Sequence, residues 1–102
     1  MRLKFTGQYK HNPEYIIRRC SYGQILDSRT GRVSYVRRIG AGLYPRFHVY
    51  LDKEEDGVQI NLHLDQKKAS YKGSYAHSGE YDSELVIKEG ERIKRWFDSL
   101  KM

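Results

Sequence analysis

The chain has 102 residues, of which 38% are hydrophobic, 13% aromatic and 31% charged. That is the size of one domain, with enough aromatic surface to bury a core, so a disordered or two-domain chain is not expected. Its net charge of +6 is unevenly placed, because residues 1–50 hold ten Lys/Arg against Glu14 and Asp27, while residues 51–102 hold nine against eleven acids. The halves therefore carry +8 and −2, an asymmetry that points to a polyanionic partner. Eight of the ten N-terminal cations are arginine, whose planar fork suits phosphate.

The chain has one cysteine, Cys20, so it holds no internal disulfide. Met1-Arg2-Leu3-Lys4-Phe5 lacks an apolar h-region, and no apolar run approaches the ~20 residues of a membrane span. A cytoplasmic protein with no membrane partner is expected, with Cys20 as a small packing residue rather than a nucleophile.

In chain order, Leu3 and Phe5 alternate with Arg2 and Lys4 as a short strand ending at Gly7. Asn12-Pro13-Glu14 is a helix-start signal, with a capping Asn, Pro at the first helical position and an acid facing the dipole. The helix runs from Tyr15 to Cys20, although the β-branched pair Ile16-Ile17 also suits a strand. Gln24–Asp27 and Arg32–Ile39 flank Ser28-Arg29-Thr30-Gly31 as a hairpin. A second hairpin joins Arg46–Asp52 to Gln59–Asp65 through Lys53-Glu54-Glu55-Asp56-Gly57. Its period of two places Phe47, Val49, Leu51, Ile60, Leu62 and Leu64 on one face, and His48, Tyr50, Asn61, His63 and Asp65 on the other. Residues 66–82 carry no apolar period and read as a long loop.

A final helix begins near Asp82 or Ser83, with Val86, Gly90, Ile93, Phe97 and Leu100 on its buried stripe and Leu85 and Trp96 beside it. Its acids lie early (Glu84, Glu89) and most of its bases late, and Glu84–Lys88 and Glu91–Arg95 are spaced as ion pairs. Gly90 on the stripe signals a close approach of helix to sheet. The expected architecture is α+β: four to five antiparallel strands, a short N-proximal helix, and a long C-terminal amphipathic helix packed on the sheet.

Two constellations could carry function. Arg18, Arg19, Arg37, Arg38 and Arg46 interleave with tyrosines, of which Tyr35, Tyr44 and Tyr50 are stacking candidates. Cations along a backbone track and aromatic faces for bases are what RNA or single-stranded DNA binding requires, and Lys67 and Lys68 extend the set. The first expectation is therefore a nucleic-acid-binding module on a basic sheet surface, without catalysis.

The alternative is a small hydrolase built on His48, His63, His77 and Glu80, either a metal-independent ribonuclease or a metal-dependent enzyme. In the metal reading His63, Asp65, His77 and Glu80 would ligate a divalent ion; otherwise no cofactor is expected. Lys67 or Lys68 would steady the phosphate. A third reading is an interaction module for an acidic protein. No HExxH, cysteine pair or Gly-rich phosphate loop is present; Gly40-Ala41-Gly42 lacks the third glycine and the helix that would follow it.

Overall fold

Period-two alternation and two capped helical segments build the molecule, here seen in a computed structural model that describes residues 1–66, the backbone of 79–80, and residues 83–102. The elements are β1 (Arg2–Thr6), α1 (Pro13–Arg19), β2 (Gly23–Leu26), β3 (Val33–Arg38), β4 (Arg46–Glu54), β5 (Gly57–Asp65), β6 (Gly79–Glu80) and α2 (Glu84–Ser99). The sheet order is β1-β5-β4-β3-β2, antiparallel at every pairing, and β6 adds to β5 at Leu64 and Asp65. This is the expected α+β architecture.

Both helices start where local chemistry allows. The Asn12 side chain accepts from the Tyr15 amide at 2.8 Å, with Pro13 in the first turn. Each group answers one need of the helix end: an acceptor for an orphan N–H, and a residue with no N–H to satisfy. The Ser83 hydroxyl accepts from the Val86 amide at 3.3 Å and caps α2; Asp82, the other expected cap, lies outside the described residues. Among the described residues no helix is long and apolar enough to cross a membrane.

The β4–β5 hairpin has the expected register: Phe47 pairs with Leu64, Val49 with Leu62 and Leu51 with Ile60. This apolar face carries the helices. Ile16, Ile17, Val86, Ile93 and Phe97 are fully buried with Val49, Ile60 and Leu62. The Phe97 ring stacks on Phe5 with centroids 4.2 Å apart and meets Tyr9 edge-on at 5.6 Å, both favoured aromatic geometries. Gly90 does sit at a close approach, since a Cβ there would run into the Met1 sulfur. Gly57, where β1 meets β5, is required more strictly, because a Cβ would collide with the Phe5 carbonyl.

After α2 the chain returns to the segment that follows β1. The Lys10 amide donates to the Leu100 carbonyl at 2.8 Å, and the Met102 amide to that of Gln8 at 3.0 Å. The helices and this clasp leave the opposite face of the sheet for polar residues.

Candidate histidine–carboxylate site

That opposite face is a lattice set by pairing. Arg38, Arg46 and Asp65 form one row across β3, β4 and β5, and Val36, His48 and His63 form the next. Residues i and i+2 on a strand project together, so His63 and Asp65 share this face with Arg46, His48 and Tyr50. Ser34, two residues before Val36, joins them from β3.

Asp65 is the hub. His48 Nδ1 lies 2.8 Å from Asp65 Oδ2, His63 Nε2 lies 3.1 Å from Oδ1, and Arg46 Nε donates to Oδ2 at 3.2 Å. Burial would raise the Asp65 carboxyl, but the hydrogen bonds from His48, His63 and Arg46 outweigh it and hold the group well below the usual carboxylate range. An ionised Asp65 only accepts, so the ring nitrogens facing it carry protons. That leaves His48 Nε2 toward the Ser34 hydroxyl at 2.8 Å, accepting from it when the ring is neutral. The rings are also packed: His48 stacks on Tyr50 at 4.6 Å and lies 5.1 Å from His63.

Ser34–His48–Asp65 thus has the order of a nucleophilic triad. Ser34 is only 4% exposed and His48 7%, so the serine is not an accessible nucleophile. Its hydroxyl instead fixes the His48 ring. His63, with 17% of its side chain exposed, is the more open imidazole.

One ligand atom each from His48, His63 and Asp65 lies within 4.8 Å of the others, a metal-capable spacing found once among the described residues. The neighbouring charge disfavours a cation there. Arg46, only 18% exposed and stacked over Tyr44 at 4.5 Å, already holds a positive charge against the same carboxylate. A divalent ion held by the ring nitrogens that face Asp65 would have to displace their protons and sit beside that guanidinium. His77 and the Glu80 side chain, the remaining expected members, lie outside the described residues, as do Lys67 and Lys68.

The arginines and tyrosines read as one basic sheet surface do not form one. Tyr35 pairs with Val49 and Arg37 with Phe47, which puts both on the helix-covered face. Tyr35 is 4% exposed and belongs to the core rather than to a stacking surface. Arg37 donates twice to Glu89 of α2, Nε to Oε2 and Nη2 to Oε1, both at 3.1 Å. Glu89 is 3% exposed and also accepts from Arg92 and from the Tyr22 hydroxyl. Arg18 and Arg19 stand on α1, where Arg18 reaches Gln24 at 2.6 Å and Arg19 lies over the Trp96 ring. Arg38 is exposed beside Arg46, Tyr44 carries the Arg46 guanidinium, and Tyr50 carries that of Arg32 at 4.5 Å. Cys20 is fully buried, and burial pushes its thiol up to about 12, as a packing residue requires.

Ser34, Tyr22 and Glu89 carried no signal as site residues in the sequence, because their partners are far along the chain. Compared with known protein families, curated proteins and solved structures, the chain matches none.

Proposed function

We propose that the sheet face opposite the helices holds a metal-independent acid–base centre that cleaves phosphodiester bonds in single-stranded RNA. The observation that carries this reading is one ionised carboxylate, Asp65, holding two imidazoles and the Arg46 guanidinium. Asp65 orients the His63 ring through its Nε2–H, which makes Nδ1 the basic nitrogen of that ring. His48, locked between Asp65 and Ser34, positions the hub rather than reacting.

RNA fits this centre because it brings its own nucleophile. Among the described residues the site has no exposed serine, threonine or cysteine, whereas the RNA 2′-hydroxyl attacks the adjacent phosphorus once a base takes its proton. His63 accepts that proton, the 2′-oxygen forms a cyclic phosphate, and the departing 5′-oxygen takes a proton from water. Arg46 and exposed Arg38 on the same row supply the positive charge that phosphate oxygens need. The strongly basic N-terminal half favours the polyanion as a whole.

The test is cleavage of a fluorogenic single-stranded RNA beside its all-deoxy counterpart, with and without EDTA. The RNA alone should be cut, EDTA should leave the rate unchanged, and His63→Ala should lower it by ~10²–10⁴-fold, the usual range for a general base. Equal cleavage of the deoxy strand, loss of activity in EDTA, or a His63→Ala rate equal to wild type would each refute the proposal.

A further inference from the structure

On the far side of the sheet from Asp65, one face of α2 carries a groove of about 240 Å³ lined by Arg92, Arg95, Trp96 and Ser99. Arg19 of α1 reaches the same indole, with its guanidinium carbon 5.3 Å from the Trp96 ring centroid. Arg19 thus lies over the indole, and Arg92 and Arg95 line the groove beside it.

For two of these arginines, Arg19 and Arg95, no carboxylate is at hand among the described residues. Glu89 is the carboxylate bound to Arg92, and it is shared with Arg37 and buried beneath them. Asp98, on the same helix, is held by Lys94 at 2.7 Å. Glu91 stands four residues before Arg95, the spacing of a helical ion pair. Glu84–Lys88 forms such a pair at 3.2 Å, but among the described residues Arg95 makes no ion pair, and its side chain lines the groove. Arg19 likewise makes no ion pair among the described residues, and both arginines are exposed. Arg92 is set rigidly by Glu89 and by the Cys20 carbonyl, so the groove has one fixed and two adjustable guanidinium groups.

We infer that this α2 groove binds a single-stranded nucleic acid, with phosphates on Arg19 and Arg95 and a base against Trp96. Arginine forks match phosphate oxygens in pairs, and an indole offers a base a flat partner of any sequence. The groove is smaller than the ~300–1,000 Å³ of sites that enclose a small molecule. Its size suits one nucleotide of a strand that continues along the surface. The inference does not rest on the acid–base reading, since these residues share none of that site.

Trp96 is the single tryptophan of the chain, so its fluorescence reports on this groove. The experiment titrates the protein with an octamer of deoxythymidine, which lacks the 2′-hydroxyl and is no substrate for the proposed cleavage. Saturable quenching that weakens with added salt is expected. The double variant Arg19→Ala/Arg95→Ala should lose at least about tenfold in affinity at low salt, because two phosphate contacts are removed. Both positions are exposed, and an unchanged melting temperature would establish that the variant is folded. Absence of quenching, or equal affinity in the double variant, would overturn the inference. Equal quenching by poly-glutamate or inorganic phosphate would also overturn it, by showing a site for any anion.

Discussion

Replacing Glu89 by alanine should unfold much of the chain's stability margin. Glu89 is 3% exposed and sits between strand and helix, accepting from Arg37, Arg92 and the buried Tyr22 hydroxyl. The Tyr22 bond is short, at 2.6 Å. Truncation leaves two guanidinium groups and a phenol without their acceptor, a loss of about 3–5 kcal/mol for breaking a buried pair from one side. A domain has only roughly 5–15 kcal/mol to lose.

The same carboxylate gives the effect a pH signature. Burial pushes the Glu89 carboxyl up, but the hydrogen bonds from Arg92, Arg37 and Tyr22 outweigh it and bring the folded value to about 2, against 4.5 for the free group. A lowered folded value stabilises the protein fully above 4.5, and that stabilisation is lost as the pH falls from 4.5 towards 2. It amounts to roughly 3 kcal/mol at neutral pH. Urea unfolding followed by circular dichroism at pH 7 and pH 3 measures both quantities. Wild type should lose more stability between the two pH values than Glu89→Ala, while Asp65 contributes equally to both proteins. A variant within about 1 kcal/mol of wild type at pH 7, or with the same pH slope, would show that the buried network does not hold helix to sheet.

Two further substitutions separate core from site. Phe97→Ala removes the ring stacked on Phe5 and met by Tyr9, and should cost about 3–5 kcal/mol in urea unfolding. Asp65→Asn keeps the side-chain shape but removes the ionised acceptor of His48, His63 and Arg46. It should lower kcat for RNA cleavage by more than about tenfold while KM holds, since His63, which it orients, takes the proton in the reacting step. A change in KM alone would assign Asp65 to binding.

Much of the fold was legible because it rests on local rules. The alternation over Arg46–Asp52 and Gln59–Asp65 has one apolar parity, so burying it determined which residues share a face, and His48, His63 and Asp65 came together as that parity required. Asn12 and Ser83 signalled the helix starts through chemistry acting within three residues. β3 carries no such signal. Both of its parities mix apolar and polar residues, Val33, Tyr35 and Arg37 against Ser34, Val36 and Arg38. Its own sequence leaves the choice of face open. Pairing with β4 decided it, sending Tyr35 and Arg37 to the helices and Ser34 to His48. Glu89 read as an acid suited to the early turns of a helix. Only the packing of α2 on the sheet brought it to Arg37, 52 residues away, where a buried carboxylate needs cations that no local pattern can supply. The Arg19–Trp96 contact has the same origin, since two helices far apart in sequence meet there because each buries its own apolar stripe.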